Sequence, residues 1–131
     1  MIIQTGMRTD IPAFYSEWLL NRIKEGFVLV RNPYNPGQVT RYSLSPEVVD
    51  LIAFCTKNPA PMLSHMDALK SYGQYWFVTI TPYGKEIEPN VPDKEIVMDD
   101  FIRLSDIVGV DCVGSRYDPI FVDEKHTVEW H

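Results

Sequence analysis

Val49-Asp-Leu-Ile-Ala-Phe54, closed by Cys55-Thr-Lys-Asn-Pro59, and then Tyr75-Trp-Phe-Val-Thr-Ile80, closed by Thr81-Pro-Tyr-Gly84, are the segments whose reading decides the fold. Each is a short, nearly continuous apolar run that ends abruptly in polar and proline-rich sequence. Runs of this kind mark strands buried on both faces, as in parallel sheets. Between them Pro61–Tyr72 reads as a helix closed by Gly73. Strand, helix and strand in this order make a crossover unit with parallel strands.

The same grammar extends in both directions. Met1–Gly6 reads as a first strand, and Asp10 caps a helix with Pro12 in its first turn. There the missing N–H of proline costs no hydrogen bond. Phe14, Trp18, Leu19 and Ile23 follow at helical spacing, and Gly26 closes the helix. Phe27–Val30 is a further apolar run, followed by the turn cluster Asn32-Pro-Tyr-Asn-Pro-Gly37 and by an alternating segment, Val39–Leu44, that reads as a small excursion strand. Downstream, Asp93 caps a helix with Ile96, Val97, Phe101, Leu104, Ile107 and Val108 on one stripe and Gly109 behind it. Val110–Gly114 is the last strand, and Thr127–His131 resembles a helix that stops after one turn.

The expectation is a single α/β domain over residues 1–131 with about five parallel strands and flanking helices. Two architectures share this order. One is a partial (β/α) barrel, the N-terminal part of a longer barrel; the other is a flavodoxin-like, doubly wound five-stranded sheet.

Composition narrows the class. The chain of 131 residues is 45% hydrophobic and 23% charged, with a net charge of −6, which excludes a body built to meet phosphates of nucleic acid. No apolar run approaches the ~20 residues of a membrane helix, so a cytoplasmic protein without a membrane partner is expected. Cys55 and Cys112 form no disulfide framework and no CxxC pair, and read as small core residues. His65, His126 and His131 have no metal-ligand spacing, and no metal site is expected; His126 and His131 read as part of a solvated end.

In either architecture chemistry gathers beyond the C-terminal ends of the strands. Arg8, Arg31, Lys57 and Arg116 follow four different runs there, which suggests a basic mouth for a small anionic ligand, with Asn32, Asn58 and Tyr83 beside it. Asp10 and Asp118 are candidates to move protons, although a helix cap is the stronger reading of Asp10. Lys57 is a candidate amine nucleophile. The receiver-domain version of the five-stranded fold fails, because the third strand ends in Thr56-Lys57 rather than an aspartate.

Several ordered strings point further. Arg8-Thr-Asp-Ile-Pro-Ala-Phe-Tyr15 with Trp18, Val30-Arg-Asn-Pro33, Thr56-Lys-Asn-Pro-Ala-Pro61, Thr79-Ile-Thr-Pro-Tyr-Gly84, Glu88-Pro-Asn-Val-Pro92 and Arg116-Tyr-Asp-Pro-Ile120 together resemble the bacterial family called domain of unknown function 1848. The resemblance implies a longer barrel whose C-terminal part carries a CxxxCxxC motif, as in radical S-adenosylmethionine enzymes with a [4Fe–4S] cluster. This chain has no such motif, and its two cysteines lie 57 residues apart. The expected cofactors are therefore none within these residues; a cluster and S-adenosylmethionine would need a further C-terminal part. The chain also has Cys55 and Ser115 where the family tends to have Trp, and Met7 where it tends to have Arg. Whether the chain is an enzyme stays open. The other reading is a catalytically inactive domain that forms a homo-oligomer through exposed sheet edges.

Overall fold

The computed structural model describes all residues, 1–131. Its elements are β1 (Ile2–Gln4), α1 (Ile11–Phe14), α2 (Ser16–Glu25), β2 (Phe27–Arg31), β3 (Val39–Ser43), β4 (Leu51–Thr56), α3 (Ala60–Leu63), β5 (Gly73–Thr79), α4 (Lys94–Val108) and β6 (Val113–Arg116), with short 3₁₀ turns at Met66–Leu69 and Val110–Cys112. Four strands form a parallel sheet in the order β1-β4-β5-β6, with helices alongside. The chain is a mixed α/β protein, and the four-stranded sheet is compatible with a partial barrel or a flavodoxin-like sheet.

The expected second parallel strand is a correction. β2 pairs only with β3, antiparallel, from Phe27↔Ser43 to Arg31↔Val39. The intervening Pro- and Asn-rich turn closes this ribbon locally, at a smaller entropic cost than a distant pairing. β2 therefore satisfies its backbone within the ribbon and leaves β1 free to pair directly with β4. Four parallel strands stand where about five are expected.

The sheet buries one face. Ile52, Phe54 and Thr56 of β4 and Trp76 and Val78 of β5 are inaccessible or nearly so, and Phe54 stacks on Trp76 with ring centroids 3.9 Å apart. Met62, Met66, Leu69, Val97 and Leu104 complete this core. The alternate residues Ala53, Cys55, Tyr75, Phe77 and Gly114 are only half-buried. The continuous apolar runs predict burial on both faces; the structure covers one and leaves the other open.

Local differences follow from what each segment must bury. The expected helix over 61–72 is split into α3 and a 3₁₀ turn. Met66, Leu69 and Tyr72 recur every third residue, and the tighter 3₁₀ pitch keeps them on one side. The first helix breaks at Tyr15 (φ −133°, ψ 25°), so that α1 packs on β4 and α3 while α2 packs on β2. Gly26 ends α2 with φ 77°, a conformation that glycine adopts without strain. Phe14 and Trp18 remain exposed, and only Leu19 of α2 is buried. Asp93 stands at the N-cap of α4 without a side-chain capping bond; its carboxylate lies 3.5 Å from Lys85. Residues 128–130 form a single turn. No helix is long and apolar enough to cross a membrane.

Candidate functional site

The C-terminal ends of the strands carry two separate groups of charges. The first lies beyond β4 and β5. Lys57 forms an ion pair with Glu88, Lys94 Nζ lies 2.6 Å from Glu88 Oε2, and Thr81 Oγ1 donates to the same oxygen at 2.7 Å. Burial of Glu88 pushes its pKa upward, but the hydrogen bonds from Lys57, Lys94 and Thr81 outweigh this and hold the carboxyl at about 2. Lys57, expected as a nucleophile, is thus an ammonium already matched to a carboxylate. Asp10 joins from the end of β1: Oδ1 accepts from Ala13 N at 3.0 Å and caps α1, while Oδ2 accepts from Lys57 N at 2.7 Å. Both oxygens hold backbone.

Beside this group a cleft of about 210 Å³ is lined by Lys85, Glu88, Asp93, Lys94 and Glu95 among others. Its charges are of both signs, and both lysines are ion-paired, Lys85 with Asp93 and Lys94 with Glu88. Glu88 was outside the expected set; the signal for it is indirect, since two lysines brought to one partly buried edge require a carboxylate. Asn58 accepts from Ala60 N at 3.2 Å and shapes the turn after β4. Past β6, Arg116 Nη2 donates to Asp118 Oδ2 at 2.5 Å on the exposed surface.

Tyr83 is 1% exposed. Its hydroxyl donates to Pro119 O at 3.1 Å and accepts from Phe121 N at 3.2 Å, and its ring stacks on Phe121 and Trp130. The segment after β6 is thus fastened to the loop after β5. His126, expected in solvent, is a correction: it is 4% exposed, packed against Tyr83, Phe121 and Trp130, with Nδ1 2.9 Å from Asp123 Oδ1. Too little periodicity in residues 119–131 betrays this aromatic packing to a sequence reading.

The second group lies beyond β1 and β2. Arg8 Nη2 donates to Arg31 O at 2.8 Å, and Arg31 Nη1 donates to Pro36 O at 2.7 Å. Asn32 braces the ribbon turn, donating to Gln38 Oε1 at 2.8 Å and accepting from Tyr34 N at 2.9 Å. Here a groove of about 660 Å³ runs between β1, the helices α1 and α2, and β2. Arg8, Arg22 and Arg31 line it, and no acidic residue does. The contrast with the rest of the chain is sharp. Seven of the twelve Lys and Arg residues lie within 4.0 Å of a carboxylate; Arg8, Arg22, Lys24, Arg31 and Arg41 do not. Three of these five meet at one groove. The expected mouth of Arg8, Arg31, Lys57 and Arg116 is therefore divided: the first two stand together without a counter-charge, and the last two are neutralised elsewhere.

The family profile described as Domain of unknown function (DUF1848) matches residues 2–131. The chain belongs to that family. No curated protein and no solved structure matches it significantly. Within this DUF1848 chain Cys55 and Cys112 are free thiols, and no three His, Cys, Asp or Glu side chains gather to hold a metal ion. A [4Fe–4S] cluster with an open iron needs three thiolates. The residues present do not fit one.

Proposed function

We propose that this DUF1848 chain binds a small anionic ligand at the groove beyond β1 and β2, with Arg8 and Arg31 as the groups that hold it. One observation carries the reading: in a chain of net charge −6, the groove gathers three arginines without a carboxylate partner and no acid. A guanidinium presents several N–H donors in a fixed fork suited to carboxylate and phosphate oxygens. Arg8 and Arg31 each use a donor on a backbone carbonyl, which orients the fork and leaves other donors for a ligand. Asp10, Lys57 and Glu88 are engaged with one another and stand outside the lining of this groove. Arg116 and Asp118 form a separate surface pair. A [4Fe–4S] cluster and S-adenosylmethionine would have to be held by residues outside 2–131.

Titration with inorganic phosphate, followed by amide chemical shifts, tests the proposal. Arg8→Ala and Arg31→Ala should each weaken phosphate about five- to tenfold, as expected for loss of a charge-assisted contact, while Arg116→Ala leaves it unchanged. Equal affinity in the wild type, Arg8→Ala and Arg31→Ala would remove the proposal.

A second reading rests on a different observation. The accessible surface is 8256 Å², against about 7,100 Å² for a typical folded monomer of 15.1 kDa. The excess is of the order that a standard interface buries. The open face with Tyr75 and Phe77, between the free edges of β1 and β6, offers the place. In this reading the chain self-associates through that face. Sedimentation over a hundredfold dilution should show a reversible dimer; a monomer at every concentration overturns it.

A further inference from the structure

Arginines make up only part of the groove beyond β1 and β2. Ten of its sixteen lining residues are hydrophobic. Five of these are large side chains standing well exposed around the concavity: Met7 at 77%, Leu29 at 57%, Tyr15 at 50%, Trp18 at 44% and Val30 at 36%. They come from four segments, the β1–α1 loop, the α1–α2 junction, α2 and β2, so the patch is made by the fold rather than by one run of sequence. Single exposed apolar side chains are ordinary, whereas a concave group of them rimmed by charge of one sign is not. The volume of about 660 Å³ lies within the range of small-molecule sites.

From this juxtaposition we infer that the ligand is an amphipathic anion: a carboxylate or phosphate on an aliphatic or aromatic body, the anionic head on Arg8 and Arg31 and the body against Trp18, Leu29 and Val30. The inference rests on the anion-binding reading above and adds the chemistry of the rest of the ligand. The two halves of the site have different origins. Arg8 and Arg31 are positioned by hydrogen bonds to the backbone of the β2–β3 ribbon. The apolar wall exists because β2 leaves the parallel sheet and stands off from β1, so that Leu29 and Val30 meet solvent instead of a neighbouring sheet. A free-standing anion would gain nothing from that wall. An uncharged apolar molecule would gain nothing from three arginines. Only a molecule with both parts uses both. Tyr15 and Trp18 also give the wall aromatic faces, which accept planar as well as aliphatic bodies.

The test compares three probes on the full chain below their aggregation limits: octanoate, acetate and octanol, each followed by Trp fluorescence and amide shifts. Octanoate should bind at least about tenfold more tightly than acetate, since several methylenes leave water, and at least about fivefold more tightly than octanol, since the alcohol forgoes the guanidinium contacts. Arg31→Ala should bring octanoate down to the level of octanol. Leu29→Ser, at an exposed strand position that folding tolerates, should weaken octanoate about threefold or more and leave inorganic phosphate unaffected. Equal affinity for octanoate and acetate, with both dependent on Arg31, would overturn the amphipathic inference and leave the anion site standing. Equal affinity for octanoate and octanol, unaffected by Arg31→Ala, would overturn both. Binding to phosphatidylglycerol vesicles without binding of monomeric octanoate would overturn the small-molecule assignment in favour of a lipid surface.

Discussion

Two groups of basic residues, one beyond the parallel sheet and one at the β2–β3 ribbon, have opposite fates. Beyond β4 and β5, Lys57 and Lys94 close on Glu88, and the edge is electrostatically complete. Beyond β1 and β2, Arg8 and Arg31 touch only backbone carbonyls. The difference lies in where the counter-charge comes from. A lysine pair with a fixed carboxylate between it ties loops together and gains little from a solute. An arginine pair braced by carbonyls keeps its full charge, oriented, and gains from any anion that arrives. A basic residue at a strand end is therefore informative only once its partner is known.

This contrast can be broken most directly at Glu88. Glu88→Ala should cost about 1–3 kcal/mol of unfolding free energy, because two partly buried ammonium groups lose their shared carboxylate; urea denaturation measures it. An unchanged midpoint would mean that the first group is not structural after all. The same carboxyl sets an acid limb. Its folded pKa of about 2 lies below the ordinary glutamate value of 4.5, so its stabilisation is complete above pH 4.5 and is lost as pH falls toward 2. The pH dependence of the urea midpoint over that interval should flatten in Glu88→Gln.

Asp10→Ala comes next, with an expected loss of about 1–2 kcal/mol from the missing cap of α1 and the stranded Lys57 N–H. Its effect should appear in stability and not in a direct contact with phosphate. Arg31→Ala should show the converse, with a weakened phosphate site and a thermal midpoint that moves by less than about 0.5 kcal/mol in equivalent stability. Smallest of all is Arg116→Ala. Its partner Asp118 is an exposed neighbour two residues away, and such a pair contributes less than about 0.5 kcal/mol. A large effect there would mean that Arg116 belongs to the site.

The helix caps were legible in the sequence because they are written locally, whereas the last strand, expected at Val110–Gly114, lies at Val113–Arg116 behind a 3₁₀ turn. Asp10 before Ile11-Pro12, Gly26 after Glu25 and Gly109 after Val108 announce themselves within a turn of chain. The departure of β2 from the sheet was not legible. Phe27–Val30 has the same apolar character as β4, and the choice between ribbon and sheet depends on a competition between the ribbon partner, which starts at Val39, and strands elsewhere in the chain. Glu88 escaped for a related reason: its three partners come from the loop after β4, the loop after β5 and α4, and no local pattern joins them. The open sheet face was also hidden, because an apolar run predicts what a strand could bury and says nothing about what is there to cover it. Gly6 illustrates how closely β1 nonetheless approaches its neighbour, since a Cβ at this position would stand 2.6 Å from Cβ of Cys55.

The pairing of β1 also sets an order of events. Ile2 has its partner in Leu51, and no other strand joins β1. The β2–β3 ribbon, by contrast, closes over a turn of a few residues between Arg31 and Val39. Hairpins form in about 1–10 μs, while pairings distant in sequence wait on the closure of long loops. During synthesis β1 thus has no mate until β4 has been made, while both strands of the ribbon are already available to pair. The wall of the groove that carries Leu29 and Arg31 is therefore expected to form before β1, on its other side, is fixed by β4.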